Sequence, residues 1–261
     1  MFFLLLFVLC VIEVHAQNAR QIRLAGNANI KVMTLKVDKT VLSKCGLSSD
    51  RIKRVPASAS LGIYYPPGCG PKSQIPLFFA MNPGAGNGIS AISPYIIFAD
   101  KLHFAVAALE FPADQDIEEA RYYYMLHTVS FFRKSGGQPV WIGGFSGGAK
   151  WALHLGTWGG DRFDGILAGG CNEDFASLGF RQIHDLKAFN VPIVMLNGTA
   201  DETAGTGDWN YYPMLWTIKK TGFKNVKIIV YDGGHSLPYQ ETLDAFVWLK
   251  KCYGKKSHSG R

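Results

Sequence analysis

Short apolar runs alternate with amphipathic segments along most of the chain. From Ile75 onward the runs are continuous, as in strands that are buried on both faces of a parallel sheet. Repeated alternation of strands and helices indicates βαβ units, so the pattern predicts an α/β fold with a mostly parallel central sheet flanked by helices. The predicted strands are Ile30–Val37, Ala59–Tyr65, Ile75–Met81, His103–Leu109, Pro139–Gly143, Phe163–Ala168, Val191–Leu196 and Val226–Tyr231.

Two helices are indicated by apolar positions that recur every three or four residues. The first is Ile117–Lys134, and Asp116 with Glu119 three residues later resembles a capping box at its start. The second is Tyr239–Lys251, and we expect it to end before Gly254. No linker-like stretch divides the chain, so the pattern predicts one domain.

The first sixteen residues have the features of an export signal. Phe2–Ile12 is an apolar run of 11 residues, shorter than the roughly 20 residues of a membrane-spanning helix. Small or β-branched residues stand at positions −3 and −1 of a cleavage site after Ala16. We therefore predict a signal peptide at 1–16, a single domain at 17–261 with a basic, flexible tail at 254–261, and a secreted protein with no membrane span. Because the signal lacks Lys and Arg, an uncleaved anchor is the alternative.

Composition and charge narrow the classes of function. Of the 261 residues, 48% are apolar and 18% are charged, so the chain can form a large core and is not intrinsically disordered. The formal net charge is +7, and the basic residues are spread along the chain apart from the tail. Without a basic stripe or a recognisable module we expect no nucleic-acid partner, and only weak attraction to acidic surfaces or polymers.

Four cysteines remain after removal of the signal: Cys45, Cys69, Cys171 and Cys252. An even number in an exported chain permits two disulfides. The predicted elements place Cys171 and Cys252 too far apart to pair, so we favour Cys45 with Cys69 and leave Cys171 as a candidate free thiol. None of the spacings is typical of a zinc site.

The segment Gly144–Gly148 reads Gly-Phe-Ser-Gly-Gly, a G-x-S-x-G pattern. It follows the predicted strand Pro139–Gly143 and precedes an apolar helical stretch around Leu153. In this context the pattern forms a sharp turn that exposes the serine hydroxyl at the N-terminus of a helix. The glycines avoid collisions between Cβ atoms in the turn. We interpret Ser146 as a nucleophile, and an ordinary tight turn is the alternative.

A serine nucleophile needs a histidine base and a carboxylate that orients the histidine. Asp201 follows the strand Val191–Leu196, and His235 follows the strand Val226–Tyr231. Both positions lie beyond the carboxyl ends of parallel strands, where α/β sheets bind their ligands. The alternative acids are Glu202 and Asp174, and the alternative bases are His103, His127, His154 and His184.

The order of these three residues resembles that of the serine esterases with an α/β-hydrolase fold. The chain is most similar to the secreted dienelactone-hydrolase, feruloyl-esterase and poly(3-hydroxybutyrate)-depolymerase types, over roughly residues 61–253. The family's Gly-x-x-Asp motif matches residues 198–201, and its Gly-His-Ser motif matches residues 234–236. The resemblance implies a catalytic triad of Ser146, Asp201 and His235.

The resemblance also implies an oxyanion hole made of backbone N–H groups. One is that of Gly147, which follows the nucleophile, and the other lies in the loop after the third strand of the family. In that loop Asn82-Pro83 replaces the usual His-Gly. Because Pro83 has no N–H, the donor we expect is Gly84, with Ala85 as the alternative.

The activity implied is hydrolysis of a carboxylic ester, small or polymer-linked, without a metal or organic cofactor. A small secreted peptidase or amidase on the same fold and a non-catalytic binding module remain the alternatives. The sequence Asn197-Gly198-Thr199 matches the N-glycosylation acceptor pattern, and we expect it to be unmodified.

Overall fold

The computed structural model describes residues 20–24, 28–44, 48–82, 88–110, 138–158, 162–171, 190–203 and 222–259. Within these residues the chain forms one sheet of nine strands. The strands are β1 (Arg20–Leu24), β2 (Ala28–Lys36), β3 (Ser58–Tyr64), β4 (Leu77–Met81), β5 (Ala105–Glu110), β6 (Val140–Phe145), β7 (Gly165–Gly169), β8 (Ile193–Gly198) and β9 (Val226–Tyr231).

The strands are ordered β1-β2-β3-β5-β4-β6-β7-β8-β9 across the sheet. The pairs β1–β2, β2–β3 and β3–β5 are antiparallel, and every pair from β5 through β4 to β9 is parallel. The predicted α/β fold with a mostly parallel sheet is confirmed. Each predicted strand is present with its ends within two residues, whereas β1 was not predicted.

Helices pack on both faces of this sheet. They are α1 (Lys39–Lys44), α2 (Ser49–Arg54), a 3-10 helix (Gly88–Tyr95), α3 (Ile96–Leu102), α4 (Gly147–Trp158) and α5 (Tyr239–Ser259). The predicted helix Ile117–Lys134 lies outside the described residues. The predicted end of the last helix before Gly254 is wrong, because α5 continues through this glycine to Ser259. The part of the expected flexible tail that the structure describes is therefore helical.

Two apolar cores lie on the two faces, because successive side chains of a strand point to opposite sides. Phe79 and Ile142 are buried on the face that α4 covers. Their neighbours Phe78 and Trp141 are buried on the other face, which α3 and α5 cover. There Phe246 of α5 packs edge-on against Phe78, with 5.0 Å between ring centroids. Among the described helices, none is long and apolar enough to cross a membrane.

Positive charge is concentrated near one edge of the sheet. Residues 20–55, which form β1, β2, α1 and α2, contain nine Lys and Arg residues and two Asp residues. Their net charge of +7 equals that of the whole chain. Our description of the basic residues as spread along the chain is therefore wrong. The strands β6 to β9 occupy the opposite end of the sheet.

The cysteines do not form the pairing that we favoured. Cys69 carries a free thiol in the structure, so no bond joins it to Cys45, which lies outside the described residues. Cys171, at the end of β7, is buried, and Cys252 in α5 is partly buried, and both are thiols.

Candidate active site

Ser146 occupies the sharp turn between β6 and α4. Its φ angle is +55°, in the left-handed region that non-glycine residues adopt uncommonly and at a cost of about 1–3 kcal/mol. The turn is held by backbone hydrogen bonds, since the N–H of Ser146 donates to the carbonyl of Gly169 at 2.8 Å and its carbonyl accepts from the N–H of Ala149 at 3.0 Å. The predicted strand–turn–helix arrangement around Ser146 is confirmed.

The glycines of the turn allow three backbone segments to approach closely. A Cβ atom on Gly148 would lie 2.3 Å from the carbonyl oxygen of Met81, at the end of β4. A Cβ atom on Gly144 would lie 2.5 Å from the carbonyl carbon of Gly148. Only glycine fits at both positions, as the sequence pattern implied.

His235 and Asp201 are in direct contact. The imidazole Nδ1 lies 2.9 Å and 3.0 Å from the two carboxylate oxygens of Asp201. Asp201 is completely buried, and 26% of the His235 side chain is exposed. The backbone N–H of Thr203 donates to Oδ1 of Asp201 at 3.1 Å. A carboxylate at Nδ1 fixes the proton on that nitrogen and leaves Nε2 free to accept a proton.

The loops that carry these two residues are packed backbone against backbone. The N–H of Ala200 donates to the carbonyl of Gly233 at 2.9 Å. Gly198 lies so close to the other loop that a Cβ atom on it would be 2.2 Å from the oxygen of Gly233 and 2.6 Å from that of Gly234. The spacing of Asp201 from His235 therefore depends on the absence of a side chain at residue 198.

We expect Gly198→Ala to destabilise the protein by about 1–3 kcal/mol, because the added methyl group meets backbone atoms that cannot rotate away. It should also displace His235 from Asp201 and so lower kcat for any reaction that this pair of residues supports. Thermal unfolding and kinetics measure the two effects. Gly70→Ala is the matched control, since a Cβ atom there meets nothing within 4 Å. A Gly198→Ala protein as stable and active as this control would contradict the prediction.

Phe145 connects the histidine with the turn that carries Ser146. Its ring packs against the His235 imidazole, with 4.4 Å between ring centroids and 46° between the planes. Since Phe145 directly precedes Ser146, this contact brings the imidazole of His235 to the turn that carries Ser146. Among the described side chains, no hydrogen bond joins His235 to Ser146; such catalytic bonds are often long before substrate binds.

Of the two expected oxyanion donors, Gly147 lies among the described residues and Gly84 does not. Gly147 is the first residue of α4, where backbone N–H groups have no partner inside the helix and point out of its N-terminus. The catalytic roles of Gly147 and Gly84, like those of the three side chains, stay predictions.

The alternative acids and bases occupy other positions where they are described. Glu202 is exposed, unlike its neighbour Asp201. His103 ends α3 in a left-handed conformation, and His154 packs edge-on against Trp151 in α4. The remaining alternatives, Asp174, His127 and His184, lie outside the described residues.

Two residues near the site were not recognised from the sequence. Tyr231, which we considered only as the end of a strand, contacts the loop of His235 through its hydroxyl group. Asn197 is only 2% exposed in β8, and its amide atoms have no hydrogen-bond partner among the described residues. The folded protein therefore does not present the Asn197 amide for glycosylation.

Comparison with known proteins places the fold. No protein-family model and no curated protein matches the chain. Among solved structures, a cold-adapted esterase from an Arctic intertidal metagenomic library is 15% identical, with a TM-score of 0.56 over 90% of this chain and 97% of its own. The poly(3-hydroxybutyrate) depolymerase LpqC from Bordetella parapertussis is 14% identical, with a TM-score of 0.52 over 84% and 94%.

Acyl-protein thioesterase 2 from Zea mays is similar as well. It is 17% identical, with a TM-score of 0.51 over 74% of this chain and 98% of its own. At these identities the likeness concerns the fold. The chain has an α/β-hydrolase fold, as the resemblance implied.

Proposed function

We propose that this chain is a secreted serine hydrolase that cleaves carboxylic esters through an acyl-enzyme on Ser146. The observation that carries the proposal is the contact of the buried Asp201 carboxylate with His235, whose ring packs beside the strained turn of Ser146. A buried acid oriented on a histidine, next to a partly buried serine turn, is the arrangement that activates a serine hydroxyl.

In the proposed reaction, Nε2 of His235 takes the proton of the Ser146 hydroxyl as its oxygen attacks the ester carbonyl carbon. The N–H groups of Gly147 and Gly84 donate to the oxygen that becomes negative. His235 then gives its proton to the leaving alcohol and an acyl-enzyme forms. Water, deprotonated by His235, attacks the acyl carbon, and His235 returns that proton to the Ser146 oxygen as its bond to the acyl group breaks and the acid leaves. Asp201 holds the required tautomer throughout.

The choice of esters over amides is supported by the structural neighbours, which are named as an esterase, a poly(3-hydroxybutyrate) depolymerase and a thioesterase. All three names refer to the cleavage of an ester or thioester carbonyl. Export is supported by the sequence features of residues 1–16.

The proposal is tested by covalent labelling with a fluorophosphonate probe, followed by mapping of the labelled peptide. We expect one adduct, on Ser146, and turnover of p-nitrophenyl esters well above that of aminoacyl anilides with the same acyl group. Faster turnover of the anilides would favour the peptidase alternative. Absence of both labelling and turnover would favour a binding module.

The same experiment addresses export. The full-length chain is expressed in a host with a secretory pathway, and the labelled protein is recovered from medium and cells. We expect it in the medium with Gln17 as its first residue. Labelled protein that stays with the membranes and retains residues 1–16 would instead support an uncleaved anchor.

A further inference from the structure

Tyr231 lies where the loops of Asp201 and His235 meet. It is the last residue of β9, and only 4% of it is exposed. Its backbone carbonyl accepts a hydrogen bond from the N–H of Thr199 at 2.9 Å, at the start of the Asp201 loop. The backbone of Tyr231 is therefore fixed against the loop that positions the acid.

The side chain of Tyr231 reaches the other loop. Its hydroxyl oxygen lies 2.6 Å from the carbonyl oxygen of Ser236 and 3.0 Å from that of Gly234. A phenol has one proton, which these two acceptors share. Because Gly234 and Ser236 are the residues on either side of His235, the hydroxyl holds the backbone on both sides of the histidine.

The surroundings keep this hydroxyl in place as a donor. A Cβ atom on Gly233 would lie 3.2 Å from Cε2 of Tyr231, so the ring packs closely under the loop. Burial raises the pKa of the Tyr231 hydroxyl, although its hydrogen bonds to Ser236 act in the opposite direction. The phenol therefore keeps its proton at neutral pH, where ester hydrolysis is assayed.

We propose that Tyr231 is a positioning residue for hydrolysis, because its hydroxyl holds the His235 loop so that the imidazole stays on Asp201 and within reach of Ser146. This inference rests on the proposed function. Proton transfer requires groups within hydrogen-bond reach, and a misplacement of about 1 Å can cost about 100-fold in rate.

Tyr231→Phe tests the proposal, since it removes the hydroxyl and retains the ring. We expect kcat for a p-nitrophenyl ester to fall about 10- to 100-fold, while KM changes by less than about threefold. The melting temperature should fall only slightly, because both carbonyl groups lie in loop residues that water can reach.

Two other tyrosines provide matched controls. The hydroxyl of Tyr64 donates to Asp100 at 2.5 Å, between β3 and α3, so Tyr64→Phe should lower the melting temperature and leave kcat unchanged. The buried hydroxyl of Tyr95 has no hydrogen-bond partner among the described residues, so Tyr95→Phe should leave kcat unchanged and should not lower the melting temperature. If Tyr231→Phe instead behaves like Tyr64→Phe, with lower stability and normal kcat, its hydroxyl is only structural and the proposal is overturned.

A double-mutant cycle with Asp201→Asn asks whether Tyr231 acts through the histidine and the acid. We expect Tyr231→Phe to cost less than about threefold in kcat when Asp201 is already replaced, because coupled residues are not additive. The same fold-loss in both backgrounds would overturn the proposal. A wild-type protein that neither binds the probe nor hydrolyses esters would overturn the proposed function, and the role of Tyr231 with it.

Discussion

Ser146→Ala is expected to lower kcat for a p-nitrophenyl ester by about 10⁵-fold or more, the scale of loss when the nucleophile of a serine hydrolase is removed. The variant has no oxygen that can form the acyl-enzyme, so it should also fail to react with a fluorophosphonate. The fold should be retained, because alanine keeps the Cβ atom of serine and the turn is held by backbone hydrogen bonds rather than by the hydroxyl.

A second variant, Ser146→Gly, tests whether the left-handed backbone of Ser146 is strained. Ser146→Gly should be equally inactive but more stable than Ser146→Ala, by about 1 kcal/mol, because glycine adopts a φ of +55° without strain. Thermal unfolding of the two inactive proteins measures this difference. Stability that is equal in both would indicate that the turn stores no strain.

Ser60→Ala serves as the control for the chemical change itself, since Ser60 lies in β3 and pairs with β5, away from the turn. It should retain wild-type kcat. If Ser146→Ala keeps more than about a hundredth of wild-type kcat, another group is the nucleophile and the assignment of Ser146 is wrong.

The strands β4 to β8 could be predicted from the sequence because each is a largely apolar run buried on both faces. The short helices could not, since α1 and α2 have six residues each, too few for a helical period to recur. The end of α5 was misplaced for an energetic reason. One glycine costs a helix about 1 kcal/mol. Because α5 continues through Gly254, the helix-forming residues around it offset this cost.

The positions of the three side chains of the candidate site could be predicted from the order of strands along the chain. Ser146, Asp201 and His235 each come directly after a strand, and parallel strands bring their carboxyl ends to one edge. What could not be predicted depends on how loops pack. The contact of Phe145 with His235, and that of the Tyr231 hydroxyl with the backbone around His235, join residues whose sequence spacing carries no signal.

The cysteines show the same limit, here for a predicted pairing that the structure does not contain. Pairing Cys45 with Cys69 depended on the loop-rich sequence around them, and Cys69 is a thiol in the structure. Loop-rich sequence does not determine where two loops lie relative to one another, so it could not determine a pairing.

Asp201→Asn is expected to lower kcat by about 10⁴-fold, as when the acid of a serine triad is made neutral. The structure indicates how. Oδ1 of Asp201 accepts the N–H of Thr203, so the amide oxygen of asparagine should keep that hydrogen bond. The amide NH₂ group then faces Nδ1 of His235. Because an NH₂ group donates, Nδ1 must accept and the imidazole proton moves to Nε2, which can no longer take the proton of Ser146.

Glu202→Gln is the matched control, because it makes the same chemical change in the adjacent carboxylate, which is exposed. Its kcat should stay within about twofold of wild type, since a solvated charge next to the site contributes little. Both variants should fold, as seen in near-ultraviolet circular dichroism, and both should still bind the fluorophosphonate, Asp201→Asn far more slowly. A larger loss of kcat for Glu202→Gln than for Asp201→Asn would show that Glu202 is the acid. Small and similar losses for both variants would show that neither carboxylate orients the histidine.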